Sequence, residues 1–261
     1  MMHAILAVLS GALVGFSLGL IGGGGSILAT PLLLYVVGVK NPHVAIGTGA
    51  LAVALNAFAN FAGHARSGTV LWRSAALFSV IGVLGAAIGS TAGKAFDGKR
   101  LLFLFAILMI VVGIMMLRRR HSTSEVAHVE RLDLAGVAKI AGAALLVGAL
   151  SGFFGIGGGF LIVPGLIFAT GMPMINAIGS SLLSVGSFGA TTAVNYALSG
   201  LVAWVLAAEF IGGGVLGGLL GMKLALRLAP RRAALTRIFA GVIFVVAAYM
   251  LYRNIAAIGI G

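Results

Sequence analysis

The sequence predicts an all-α, polytopic membrane protein made of about ten helical segments in two homologous five-segment halves, with short helices interrupted by glycine and proline. Three observations predict it. Hydrophobic residues make up 61% of the chain and charged residues 8%, against about 45–50% and about 25% in soluble domains, and the mean hydropathy is +1.17. Uncharged stretches of about 18 or more residues recur from end to end, each long enough to cross the roughly 30 Å hydrocarbon slab of a bilayer as a helix. A pattern of glycines occurs twice. The alternating segments of about ten residues that mark an outer-membrane barrel are absent.

The elements follow in order. Residues 4–21 come after Met1-Met2-His3 with neither a basic leader nor a small-x-small cleavage site, so they read as a retained first helix. They run into Gly22-Gly23-Gly24-Gly25-Ser26. The second segment, 26–39, is too short to span comfortably and carries Pro31. Segments 44–62, 69–92 and 101–117 are apolar throughout and complete the first repeat, residues 1–117. Arg118-Arg119-Arg120-His121 through Asp133 is the only strongly polar stretch, and residues 118–133 read as a solvated, dispensable linker. The second repeat, 134–261, opens with segment 134–154 and reaches Gly155-Ile156-Gly157-Gly158-Gly159. Segment 159–171 is again short, with Pro164, and 174–198, 201–226 and 235–252 complete the chain.

The halves match residue by residue. Gly15, Gly19, Gly22, Gly24, Gly25 and Pro31 map onto Gly148, Gly152, Gly155, Gly157, Gly158 and Pro164 by a shift of 133 residues. After a one-residue deletion the shift becomes 132, pairing Ala45-Ile46-Gly47-Thr48 with Ala177-Ile178-Gly179-Ser180, Gly68 with Gly200, Trp72 with Trp204, and Gly82, Gly85 and Gly89 with Gly214, Gly217 and Gly221. Duplication with paired short, Gly/Pro-interrupted segments is the pattern of secondary transporters, whose substrate site lies where the repeats meet near the bilayer midplane. Five crossings per half would insert the second half upside down, as an inverted repeat. If the short segments are re-entrant, only eight segments cross and the halves become parallel.

The net charge of +12, from 17 basic and 5 acidic residues, collects in the gaps between apolar runs as topology-setting loop charge does, which argues against nucleic acid as a partner. With ten crossings, one face holds Arg66, Arg118, Arg119, Arg120, Arg131, Arg227, Arg231 and Arg232, and the other mainly Lys40, Lys94, Lys99 and Arg100. The Arg-rich face is then cytoplasmic and both termini lie outside.

The two glycine clusters are the strongest chemical signal. Glycine costs about 1 kcal/mol relative to alanine inside a helix, so such clusters end one helix and start another. The main-chain N–H groups exposed at such a break, with the positive end of the following helix dipole, suit an anion. Gly22, Gly23, Gly24, Gly25, Ser26, Gly155, Gly157, Gly158 and Gly159 are therefore candidate substrate-binding residues, together with Thr48, Ser180 and Ser181, whose hydroxyls suit an oxyanion without a buried charge. Interhelical hydrogen bonding is the competing role for these hydroxyls, and close helix packing is the competing role for the clustered glycines and the expected one for Gly15-xxx-Gly19, Gly85-xxx-Gly89 and Gly217-xxx-Gly221. Asn56, Asn60 and Asn195 are secondary candidates, as is Arg66, which competes with a topology-setting role. Glu209 is the one acid well inside an apolar run and a candidate for proton coupling, unless it lies shallow and pairs with a base; Leu77 holds its place in the first half.

The segments from Gly15 to Leu33 and from Gly148 to Leu166, followed by AIGTGAL and AIGSSLL, resemble the two signature repeats of the TauE/SafE sulfite exporter family. The resemblance covers the whole chain apart from the linker. It implies a carrier of small sulfur-containing anions such as sulfite, sulfoacetate or related organosulfonates, in the bacterial plasma membrane. The expected partners are a small inorganic or organic anion and membrane lipid, with homodimerisation left open.

Other chemistries are disfavoured. Gly15-Phe16-Ser17-Leu18-Gly19 fits a nucleophile elbow literally but lies in one apolar helix. Ile27 and Ile162 stand where a dinucleotide fingerprint needs its third glycine, and neither cluster carries a phosphate-loop lysine, so no cofactor is expected. Cysteine is absent and the five histidines lack metal-ligand spacing, so no metal is expected either. An anion channel is the alternative to a carrier. An intramembrane enzyme is a more distant third, because the chain has few groups for covalent chemistry.

Overall fold

The computed structural model describes residues 2–118, 134–157, 159–227 and 232–254, so the expected linker, save Arg118, lies outside the described residues. These fold as ten α-helices and one 3₁₀ segment, with no strand among them, in agreement with the all-α expectation. Helix α1 (Met2–Ile21) runs into the 3₁₀ segment (Gly22–Leu28) and α2 (Ala29–Tyr35). Then come α3 (Pro42–Arg66), α4 (Trp72–Ala95), α5 (Gly98–Arg118), α6 (Leu134–Phe154), α7 (Gly159–Thr170), α8 (Met174–Ala197), α9 (Trp204–Arg227) and α10 (Arg232–Asn254). Each of the ten expected segments is a helix. Seven of them, in α1, α3, α4, α5, α6, α8 and α9, are long and apolar enough to cross a membrane. The segments after the two glycine clusters are the short ones, as expected, and the described apolar part of α10 is Ala240–Asn254.

Local chemistry sets the helix ends. At α3, the Asn41 side chain accepts from the His43 N–H at 2.9 Å, and Pro42 occupies the first turn, where a missing N–H costs nothing. The same helix stops at Gly68, whose φ of +70° lets its N–H reach the Ala65 carbonyl while that of Thr69 reaches His64. One repeat later Gly200 (φ +69°) stops α8, with its N–H on Ala197 and that of Leu201 on Tyr196.

Glycine also decides which helices touch. Lipid is as apolar as leucine, so helices associate in it through close packing, and small residues permit the closest approach. A methyl group on Gly15 of α1 would strike the main chain of Gly214 on α9, and one on Gly148 of α6 would strike Gly82 on α4. These are equivalent pairs in the two repeats. The correspondence continues: Gly217 lies on Ala12 and Gly85 on Leu145, Gly221 on Phe16 and Gly89 on Ala149. Contacts advance together along both chains, so α1 and α9 run parallel, as do α4 and α6. Each seam joins one helix of the first half to one of the second. The three spaced-glycine motifs thus pack helices, the role expected of them from the sequence.

Between the seams, α3 packs on α8, and α5 packs on α10. Helices α3 and α8 are the most deeply buried of the long helices, and they are antiparallel: Thr48, near the start of α3, meets Ala203 beyond the end of α8, while Ser180, near the start of α8, meets Leu71 beyond the end of α3. The outward faces are apolar, with Leu84 and Ile88 on α4 and their equivalents Leu216 and Leu220 on α9 exposed, as a lipid-facing surface requires. Trp72 and Trp204, exposed at the starts of α4 and α9, suit the amphipathic membrane interface.

Candidate functional site

The first helix break packs on α8 and on α7, the helix that the second break opens, and the second break reaches both α3 and α8. After α1, the chain turns through the 3₁₀ segment, in which Gly25 lies so close to the Ser17–Leu18 main chain that a side chain would not fit. Ser26 and Ile27 are wholly buried. The 3₁₀ segment packs on α1, α2, α7 and α8. The second break begins where Gly155, at φ +66°, closes α6: its N–H binds the Gly152 carbonyl at 3.1 Å, and that of Ile156 binds Ser151 at 3.3 Å. Gly157 follows at φ +64°, where a Cβ would lie 3.0 Å from Val53 Cγ1 and 3.5 Å from Val185 Cγ1. Val53 and Val185 are repeat equivalents, each near the middle of its helix, so this break reaches the mid-length of both α3 and α8. Gly159 opens α7 as a buried residue, and Gly158 lies outside the described residues. Gly22, Gly23 and Gly24 form the first turn of the 3₁₀ segment.

The hydroxyl candidates have defined partners. Thr48 Oγ1 accepts the Ala203 N–H at 3.0 Å, and Ser180 Oγ accepts the Leu71 N–H at 3.0 Å. These N–H groups belong to the residues that cap α9 and α4, so each half caps a helix of the other. Ser181 Oγ donates to the Ile178 carbonyl at 2.8 Å within its own helix. Sequence reasoning did not single out Ser79, whose hydroxyl pairs with Ser184 at 2.8 Å where α4 crosses α8; serine in a small-residue helix gives no signal of its partner. Asn195 lies away from the breaks, donating to Ser90 Oγ at 2.7 Å and Thr91 Oγ1 at 3.0 Å. Beside it Lys94 Nζ donates to the Asn195 carbonyl at 2.9 Å and to Ser199 at 2.7 Å, closing the carbonyl end of α8.

Asn56 is wholly buried, and neither atom of its carboxamide has a hydrogen-bond partner among the described residues. One turn on, Asn60 Nδ2 donates to the Asn56 carbonyl at 2.8 Å. Asn60 and Arg66 border a cavity of about 100 Å³ between α3 and α9. A broader, shallow cavity of about 410 Å³ lies among Lys40, His43, Asp97 and Lys99 at the end where α3 and α5 begin. Neither cavity borders the described residues of the breaks. Glu209 is half-buried, five residues in from the start of α9. Among the described residues no group of three His, Asp or Glu side chains is placed to hold a metal.

Broken helices meeting inside an otherwise apolar bundle are the build of a membrane transporter. Comparison with known proteins narrows this. A family model described as "Sulfite exporter TauE/SafE" matches residues 7–250, and the chain belongs to that family. It is 57% identical, over 97% of both chains, to a "Probable membrane transporter protein" of Xylella fastidiosa strain Temecula1. A similarly described protein of Bacillus subtilis, YunE, is 29% identical over 81% of this chain and 85% of its own, and one of Methanocaldococcus jannaschii is 28% identical over 77% and 72%. No solved structure matches the chain. The protein is a multi-pass transporter of the bacterial plasma membrane and not an enzyme.

Proposed function

We propose that this transporter is a secondary carrier of small sulfur-containing anions, sulfite, sulfoacetate or related organosulfonates, which works by alternating access and holds the anion between its two helix breaks. The observation that carries the proposal is the position of Gly157 against Val53 and Val185, at mid-length of both central helices. The first break packs on α7, the helix that the second break opens. The first turn of α7 has N–H groups without intrahelical acceptors, and a helix N-terminus bears the equivalent of about half a positive charge. Gly22 to Gly25 and Ser26 supply the opposing wall, with Thr48, Ser180 and Ser181 on the flanking helices. Thr48 and Ser180 accept a capping bond and keep their own hydroxyl protons for donation.

Inverted repeats and ten crossings are part of this proposal. The support is directional: repeat-equivalent α3 and α8 run antiparallel, whereas re-entrant segments that returned to their own face would make them parallel. His3 Nδ1 lies 3.0 Å from the Val37 carbonyl, which fits a chain that crosses in α1 and returns through the 3₁₀ segment and α2. Arg66, Arg118 and Arg227 then share the cytoplasmic face. The moving bodies are the α1/α9 and α4/α6 pairs, because the glycine seams bind each helix to a partner from the other half. The sequence alone suggests rocking of one half against the other. Glu209, on the α1/α9 body, is the proposed proton-coupling group, and Glu209→Gln abolishes dependence on a pH gradient; unchanged dependence removes it from the mechanism.

The experiment is transport by purified protein in proteoliposomes, with sulfite, thiosulfate, sulfoacetate, sulfate and simple carboxylates. The expected result is saturable flux with counterflow, lost in Gly24→Leu and Gly157→Leu. Single-channel currents would establish a channel instead, and anion binding that survives both substitutions excludes the breaks as the site.

A further inference from the structure

The two repeats differ where their polar side chains meet the glycine seams. On α4, the ring of Phe188 lies over Gly82 and stacks on Phe78 with centroids 6.3 Å apart. At the equivalent place on α9, the carboxamide of Asn56 lies over Gly214. An aromatic ring fills the slot in one half, and an unpartnered amide occupies it in the other. A buried polar group without a partner destabilises the fold, and an apolar side chain of similar size avoids that cost, so Asn56 is a poor choice for packing alone.

The same face of α3 continues as Asn60, Gly63 and Arg66, which border the cavity of about 100 Å³ together with Val215, Leu219 and Met222 of α9. One water needs about 10–15 Å³ of such space, so there is room for several waters or one small oxyanion. Asn60 is 5% exposed and forms the floor; Arg66 is exposed and forms the rim. From Asn56 to Arg66 is ten residues, about 15 Å along the helix. Among the described residues no carboxylate borders the cavity. Its polar lining is a carboxamide with a second N–H to give and a guanidinium, a donor set that suits an anion.

We propose that Asn56, Asn60 and Arg66 form an anion vestibule along α3, which the second repeat matches at Asn60 with Thr192 but interrupts with Phe188 and Leu198 in place of Asn56 and Arg66, and through which a small oxyanion passes between the Arg-rich face and the central site. Arg66 draws the anion to the rim, Asn60 receives it, and the orphan amide of Asn56 takes it toward the core. The vestibule rests on the reading of the chain as an anion carrier. An inverted-repeat carrier with an orphan amide and an arginine on this face in one repeat and Phe188 and Leu198 in the other presents unlike approaches on its two faces, so apparent affinity differs between them.

The test uses the full chain in proteoliposomes with labelled sulfite, alongside thermal unfolding of each variant. Asn56→Leu puts an apolar side chain where the second repeat has one. The expected result is a melting temperature equal to or above that of the native protein, with KM for sulfite raised at least tenfold. A KM within twofold of native overturns the vestibule, whatever the stability. Arg66→Gln alters only the exposed rim and decides the case if Asn56→Leu fails to fold or melts lower: KM rises several-fold at low salt, and less at high salt, if Arg66 recruits the anion, and an unchanged KM overturns the proposal. Native protein that moves none of sulfite, thiosulfate or sulfoacetate defeats the carrier reading and the vestibule together; native transport with both variants unaffected defeats the vestibule alone.

Discussion

Thr48 and Ser180 show how one hydroxyl serves a structural end that its sequence position does not reveal. Each reaches across to the other half and accepts a main-chain N–H at 3.0 Å, in the way an N-cap side chain does from within its own helix. Thr48→Ala and Ser180→Ala should each lower unfolding stability by about 0.5–2 kcal/mol, the usual cost of a lost cap, while Thr48→Ser costs less; thermal melts in detergent measure this. From the sequence, both residues had equal claims to binding and to interhelical bonding, because hydroxyl chemistry is the same in either role and only the partner distinguishes them. Asn56 was legible as a polar residue in an apolar run. Its lack of a partner was not, since that depends on what α9 presents opposite.

At the scale of the element, the glycines carry two kinds of information. The spaced ones in α1, α4, α6 and α9 put main chain against main chain, and Gly15→Leu or Gly148→Leu should abolish accumulation of folded protein, because the obstructing atoms are backbone and cannot swing aside. Gly142 and Gly212 have nothing among the described residues within 4 Å of where a side chain would go. Alanine there should be tolerated and should raise stability by about 0.5–1 kcal/mol, the helix-propensity difference. Yields and melting temperatures of the four variants separate close-approach glycines from incidental ones. The ten segments and their breaks were legible because hydropathy and glycine clustering are local properties. The pairing of α1 with α9 and of α6 with α4 was not, since a glycine face says that something packs closely without saying what.

For the whole molecule, the repeat register of 133 and then 132 residues is visible in the sequence, and the contacts of Gly15, Gly217 and Gly221 in the α1/α9 seam have counterparts at Gly148, Gly85 and Gly89 in the α4/α6 seam. What the sequence left open was the choice between eight and ten crossings, because a short apolar segment after a break reads alike as re-entrant or as a return leg. Loop charge favours ten crossings. Antiparallel α3 and α8 favour the same answer on independent, geometric grounds. The chain has no cysteine, so single cysteines report sidedness without interference. Lys99→Cys and Ser199→Cys, labelled in intact cells with a membrane-impermeant maleimide, should react from the same face of the membrane, with Ser67→Cys shielded on the other. Labelling of residues 99 and 199 from opposite faces would contradict inverted insertion, and with it the meeting of the two breaks.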